Sequence, residues 1–406
     1  MKAIEFQTIE PIAPDAANTA ATGLPLAGLL ALAMAGFITV LTEALPAGLL
    51  TQMSKDLAVS ESLVGQLVTI YAIGSLLAAI PLVAATRGWR RRPLLQTAIG
   101  GFFIVNTITA LSDNYVLTMV ARLFAGVFAG LLWALLAGFA SRMVADSLRG
   151  RAIAIAMIGT PLALSLGIPL GTLLASWIGW RFTFGVMSLL TLILLVWVQS
   201  AVPDFSGKAA SSQLRVAKVF GMPGVKAILG VTFAFVLAHT ILYTYIAPFL
   251  APPGMSDRID LVLFVFGVMA FVGTWVIGVG IDRWSRRLVL LSVALFMLAS
   301  VALGVWNLNP AAIFISVGVW GLAFGGVPTL FQAASANATG EAADVGQALM
   351  VTVWNLAIAG GGALGGLLLD TYGASSLPWA LLPLLLLAGF MTWRASMHGF
   401  PASAQK

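Results

Sequence analysis

The chain has 406 residues, 60% of them hydrophobic and only 9% charged, with a formal net charge of +6 and a mean hydropathy of +1.00. A water-soluble domain of this size carries about 25% charged residues to solvate its surface, so the composition excludes an ordinary soluble fold. The absence of cysteine excludes disulfides, thiolate nucleophiles and Cys-based metal sites, and His239 and His398 lie too far apart to suggest a zinc pair.

Residues 1–23 hold Glu5, Glu10 and Asp15 against one base, Lys2, which makes a poor secretory signal and predicts a tail. Apolar runs follow at 24–51, 62–86, 94–111, 115–140, 152–178 and 181–201, and again at 225–250, 261–281, 288–306, 311–336, 345–369 and 377–393. These runs are long enough to cross a hydrocarbon core of about 30 Å as helix, and the period-2 alternation of a membrane barrel is missing. The expected fold is an all-α membrane protein of twelve helices in two pseudo-symmetric six-helix bundles.

The longest internal polar stretch, 202–224, divides the spans six and six, as in an internally duplicated transporter. The expected layout is a cytoplasmic tail 1–23, a bundle 24–201, a cytoplasmic linker 202–224, a second bundle 225–396 and a cytoplasmic tail 397–406. Arg87-Gly-Trp-Arg-Arg-Arg-Pro after the second span and Asp282-Arg-Trp-Ser-Arg-Arg after the eighth occupy equivalent places in the two halves. With both ends inside, 17 of the 21 Lys and Arg residues face the cytoplasm, against Lys55, Arg181 and Arg258 outside. The positive-inside rule therefore sets the orientation. The same spread over short loops argues against nucleic acid, which needs a clustered basic face.

Three ionisable groups fall within spans, where burial costs several kcal/mol on most estimates: Glu43, Arg122 and His239. At 1.5 Å rise per residue, Glu43 and Arg122 lie roughly 12 Å, and His239 about 16 Å, below the outer surface. Shared depth suggests a common polar cavity. Glu43 reads either as a proton site or as half of a structural ion pair with Arg122. A carboxyl that moves between an apolar and a cationic surrounding would gain and lose a proton in turn. His239 reads either as a satisfied histidine bonded to a neighbouring helix or as a cavity residue, and it shares a helix face with Tyr243, one turn on. Trp133, Trp320, Gln332, Gln347, Trp354 and Asn355 are further candidates for a substrate cavity, with packing or an interfacial belt as the alternative for the tryptophans.

The fifth span carries Gly159, Gly167, Pro169 and Gly171, a composition that predicts a bent helix packed closely at the interface between halves. Gly360-x-Gly362-x-x-Gly365 spells a dinucleotide fingerprint, but no strand precedes it, so it reads as a helix-packing surface. Asn337-Ala-Thr339 is a glycosylation sequon on the side expected to be cytoplasmic. No phosphate-binding Gly-x-x-x-x-Gly-Lys-Ser/Thr loop occurs, which argues against direct use of ATP.

From about Leu24 to Trp393 the chain resembles the major facilitator superfamily, in its twelve-helix drug:proton antiporter group, and is similar to bacterial sugar and purine-nucleoside efflux permeases. The resemblance rests on Thr42-Glu43-Ala-Leu-Pro46 with Leu57-Ala-Val-Ser-Glu-Ser, on Arg122-x-x-x-Gly126-x-x-x-Gly130, on Gly159 to Gly171 followed by Gly179-Trp-Arg-Phe-Thr-Phe184, and on Gly278-x-x-x-Asp282-Arg283-x-x-Arg286-Arg287. It implies proton coupling through the fourth-helix arginine, antiport through the fifth-helix motif, and conformational control by the second-half loop. In the first-half loop Val83 and Arg87 replace the glycine and aspartate of that pattern, and the fifth-helix motif reads Gly-Ile-Pro-Leu-Gly in place of Gly-Pro and paired glycines.

The expected protein is thus a multi-pass protein of a bacterial inner membrane, not an enzyme, with no metal or organic cofactor and the proton gradient as its energy source. Its partners are protons, lipid and a small neutral or weakly cationic substrate, such as a sugar, nucleoside or drug, moved outward by a monomer. Proton symport or uniport on the same fold, a membrane-embedded enzyme and a non-transporting sensor or scaffold are the alternatives.

Overall fold

The computed structural model describes residues 23–79, 81–86, 88–145, 148–207 and 216–400. Residues 1–22, Arg87, the linker segment 208–215 and residues 401–406 lie outside the described residues, as does the side chain of Asp282. Among the described residues, twelve helices are long and apolar enough to cross a membrane. They are α1 Leu26–Gly48, α2 Glu61–Ala78, α3 Arg91–Leu111, α4 Tyr115–Arg142, α5 Arg149–Ile178, α6 Trp180–Ala201, α7 Val225–Thr244, α8 Ser256–Ile281, α9 Arg283–Val305, α10 Pro310–Thr339, α11 Val345–Tyr372 and α12 Ala374–Arg394. Local chemistry starts several of them. The Asn114 side chain accepts from the Leu117 N–H at the head of α4, and Asn309 caps α10 just ahead of Pro310.

Proline sets the breaks that differ from the hydropathy pattern. The runs 24–51 and 225–250 each read as single spans, yet α1 stops at Gly48 and resumes as a short helix Leu50–Asp56. Likewise α7 stops at Thr244 and resumes as Ile246–Leu250 beyond Tyr245. Pro46 and Pro248 have no N–H for the carbonyls four residues earlier, which weakens the ladder beside each break. In α5 the accommodation is a π-helical turn, Ala163–Gly167, between Pro161 and Pro169. Between α8 and α9 no loop intervenes, only a kink at Trp284 with φ −129° and ψ 23°.

The two halves pack alike. In the first, α2 lies on α4, α3 on α6, and α1 on α5 and α6. In the second, α8 lies on α10, α9 on α12, and α7 on α11 and α12. Close approach at matching positions supports this: a Cβ on Gly126 of α4 would collide with the Tyr71 carbonyl of α2, and one on Gly325 of α10 with the Ala270 carbonyl of α8. The halves join through α2 with α11, α5 with α8, and α1 with α7, together with the two short helices that continue α1 and α7. Arg91, Arg142, Arg149, Arg283 and Arg394 mark one end of the molecule, the basic end. The crossings Gly48–Leu263, Gly65–Tyr245, Gly267–Ser165 and Gly362–Thr69 fall from mid-depth towards the opposite end.

Candidate functional site

The charged part of the site is built by α1, α2, α3 and α4. Arg122 is 0% exposed, seven residues into α4. Because Gly126 lets α2 approach, the Tyr71 ring lies beneath the guanidinium, 4.9 Å from its centroid. The Tyr71 hydroxyl donates to the Thr39 carbonyl at 3.3 Å. Arg122 Nη2 donates to the backbone carbonyl of Glu43 at 3.2 Å, while Nε and Nη1 have no partner. Among the described residues no ion pair joins Arg122 to the Glu43 carboxylate, and Glu43 is half-buried. Asn106 Nδ2 of α3 donates to Thr42 Oγ1 at 3.2 Å, beside Glu43, and Asn106 Oδ1 is unpartnered. A buried cation with one hydrogen bond and one aromatic face keeps N–H capacity for an incoming carboxylate.

Across the molecule, α7 to α11 assemble an aromatic cluster. The His239 ring stacks on Phe324 with centroids 3.6 Å apart and 14° between planes. Tyr243, Trp320 and Phe266 lie 5.1, 5.3 and 5.7 Å from it. Trp354 of α11 reaches Phe324 at 6.5 Å, and Phe296 of α9 stacks on Trp320. His239 Nδ1 and Trp320 Nε1 are buried without partners.

Of the residues singled out in the sequence, the structure thus gathers His239, Tyr243, Trp320 and Trp354. Asn355, next to Trp354 on α11, is buried, and its Nδ2 donates to the Val351 carbonyl of its own helix at 2.9 Å. Trp133 belongs to the first half, against Gly36 of α1. Gln332 and Gln347 are exposed and lie outside the ring cluster. Tyr71, Asn106, Phe266, Phe296 and Phe324 were not singled out, and Thr42 entered only as part of the first-helix stretch. Only Phe324 had a usable signal, four residues after Trp320 on one helix face.

The fifth-helix glycines face α1: a Cβ on Gly159 would strike the Ala33 carbonyl, and Gly167 and Gly171 pack on Phe37 and Leu45. Ser165, in the π-helical turn before Pro169, meets Gly267 of α8, so α5 does lie at the junction of the halves. In the second-half loop Arg283 lies over the Trp284 ring, Arg286 Nη2 donates to the Trp393 carbonyl at 2.7 Å and Arg287 is exposed. Nothing lies within 4 Å of a Cβ built on Gly278.

At the equivalent place in the first half, where Arg87 replaces an acid, the linker supplies one. Asp204 pairs with Arg90 Nε at 2.6 Å and accepts from the Arg92 N–H at 3.0 Å, at the start of α3. Burial pushes the Asp204 carboxyl up, but the Arg92 N–H and the Arg90 guanidinium outweigh it and hold the group below its usual range. Arg142 of α4 donates to the Ser206 carbonyl and lies over Phe205, fastening the same segment.

The family model of the Major Facilitator Superfamily matches residues 32–362. A Pseudomonas aeruginosa protein named transcription regulatory protein OpdE is 32% identical over 384 residues, 92% of this chain and 95% of that one. The purine ribonucleoside efflux pump NepI of Salmonella enteritidis is 28% identical over 380 residues, covering 92% and 94%. Among solved structures, a bacterial homologue of the human lysosomal transporter Spinster, in an inward-facing and unoccupied conformation, superposes with a TM-score of 0.73 over 94% of this chain and 99% of that one, at 13% identity. A duplicated fold with twelve candidate spans among the described residues and a family model covering most of the sequence agree: the chain belongs to the Major Facilitator Superfamily and is a membrane transporter, not an enzyme.

Proposed function

We propose that the chain exports a small neutral or weakly cationic molecule, such as a sugar, nucleoside or drug, in exchange for protons, with Glu43 as the proton site and Arg122 as its alternate partner. The observation that carries this reading is the division at Glu43: its carbonyl holds the Arg122 guanidinium, while its carboxylate stands apart from two unpartnered N–H groups. A deprotonated Glu43 would turn onto those groups, and a protonated one would release them. Proton binding then biases two packings of the halves that differ little in energy. The aromatic cluster around His239, with Tyr243, Trp320 and Trp354, would form one wall of the substrate cavity, and Trp133, Gln332, Gln347 and Asn355 would contribute its rim. The named activity of the NepI relative favours outward transport.

On this reading the basic end is cytoplasmic, as the positive-inside rule requires, and both termini lie inside a bacterial inner membrane. The layout is a bundle 24–201, a linker 202–224 and a bundle 225–396, between cytoplasmic tails. The protein acts as a monomer with no metal, organic cofactor or nucleic acid, and the proton gradient supplies the energy. Gly159, Gly167, Pro169 and Gly171 of α5, with Gly278, Asp282, Arg283, Arg286 and Arg287, carry the rocking motion.

The test uses reconstituted proteoliposomes with an acid lumen and labelled compound outside. Glu43→Gln should lose pH-gradient-driven accumulation by about 100-fold, within the range that loss of one proton-transfer group produces, yet keep exchange at equal pH. Undiminished accumulation against a gradient by Glu43→Gln would refute the assignment. A second reading, that the chain senses a solute and regulates expression, draws on the name of the Pseudomonas aeruginosa relative. Transcript changes on deletion, with no flux of any compound in proteoliposomes, would favour it.

A further inference from the structure

At the end opposite the basic one, the side chain of Tyr245 bridges the two halves. The helix break after Thr244 leaves Tyr245 at φ −110° and ψ 26°, with its side chain 0% exposed. Three glycines receive it, and the carbonyl of a fourth, Gly362, accepts from it. A Cβ on Gly65 of α2 would collide with the Tyr245 ring and hydroxyl, and Cβ atoms on Gly365 and Gly366 of α11 would come within 2.7 Å of the ring and the hydroxyl. The hydroxyl donates to the Gly362 carbonyl of α11 at 2.7 Å and lies 3.4 Å from the Ser62 carbonyl of α2. From α2, Gln66 Nε2 approaches the Gly362 carbonyl at 3.3 Å and the Tyr245 oxygen at 3.4 Å.

The division of these contacts is informative. The short hydrogen bond stays within the second half, whereas every polar link across the halves is long, at 3.3–3.4 Å. Long hydrogen bonds are weak and cost little to break. The socket, by contrast, is shape-matched: with no side chain on Gly65, Gly365 and Gly366, α2 and α11 close on Tyr245. Such a contact is either seated or withdrawn, with little between, because packed surfaces do not deform continuously.

We propose that Tyr245, seated between Gly65 of α2 and Gly362, Gly365 and Gly366 of α11 and bridged by Gln66, is the latch that holds this end shut, and that its release from α2 is the step by which the halves part there. Tyr245 and Gln66 are positioning residues, acting on the balance between states. The proposal rests on alternating access and not on proton coupling, so the two can fail separately.

The chain has no cysteine, which allows clean labelling. Leu63→Cys on α2 and Leu367→Cys on α11 place spin labels at exposed positions flanking the socket, 43% and 63% exposed in the native chain. Pulsed dipolar spectroscopy on the reconstituted protein, with neither substrate nor gradient, reads the separation. The native latch should give one short distance. Gln66→Ala and Tyr245→Phe, which remove only the weak links and the hydroxyl, should add a longer-distance population, and Tyr245→Ala should make it dominant. Native distributions in both Gln66→Ala and Tyr245→Phe would overturn the proposal, whether or not Tyr245→Ala folds. All the variants compared keep Glu43 and are read without a gradient, so a failed proton assignment does not alter this outcome.

Discussion

Arg122 and Glu43 show how far a depth argument reaches. Counting residues at helical rise puts both at one level, and the structure brings them together, but counting says nothing about which atom of Glu43 the guanidinium meets. It meets the carbonyl. Tyr71 and Asn106 carry no signal in the sequence because uncharged polar side chains are ordinary in membrane helices and no periodicity marks a cavity-facing one. The geometry around Arg122 demands a planar donor group that spans the Tyr71 face and the Glu43 carbonyl together. Lysine offers a compact ammonium that cannot do both. Arg122→Lys should therefore keep folding and membrane insertion but lower coupled transport at least tenfold, measured as initial uptake into proteoliposomes under a fixed pH gradient. Native rates would mean that charge alone suffices there.

At the scale of elements, all twelve spans were legible, since an apolar run of about twenty residues matches the thickness of a bilayer and has little use in a water-soluble domain. The ends of α1 and α7 were not. Hydropathy continues across Leu49 and Tyr245, so the breaks follow from Pro46 and Pro248 and from packing between halves that no single-helix pattern records. The linker reads as a polar spacer, yet Asp204 acts on α3 as an N-cap supplied from outside the helix. Asp204→Asn keeps an acceptor for the Arg92 N–H, because asparagine caps about as well as aspartate, but loses the charge facing exposed Arg90 and should cost up to about 1 kcal/mol. The pH dependence has a definite sign. The folded carboxyl lies below its ordinary value of 3.8, so the unfolded chain binds the proton more readily. The stabilisation is complete above that value and disappears as pH falls through the lower, folded one. The Tm gap between native protein and Asp204→Asn should thus be constant from neutral pH to about pH 5 and close only under strongly acid conditions, within the carboxylate range. A gap that closes near neutrality would assign the effect to another group.

For the whole molecule, the repeated basic loops announce a duplication, and matching helix pairs in the two halves carry it through: α2 on α4 and α8 on α10, α3 on α6 and α9 on α12. The junctions obey the same symmetry, because α2 against α11 maps onto α5 against α8. What sequence did not convey is the state of the machine. The close crossings between halves run from mid-depth to the end where Tyr245 sits, so that end is shut. A shut end matters for coupling because exchange requires that protons and substrate never share an open path through the membrane. The central claim is that inward proton movement drives outward substrate movement through Glu43. Its most direct test is a pH-sensitive dye enclosed in proteoliposomes with an acid lumen, followed while nucleosides, sugars and antibiotics are added outside. Release of lumenal protons on adding one compound, absent in Glu43→Gln, is the predicted result and would name the substrate class. Equilibration of that labelled compound with no dye response would contradict the claim and leave a uniporter in which Glu43 and Arg122 serve only to hold α1 against α4.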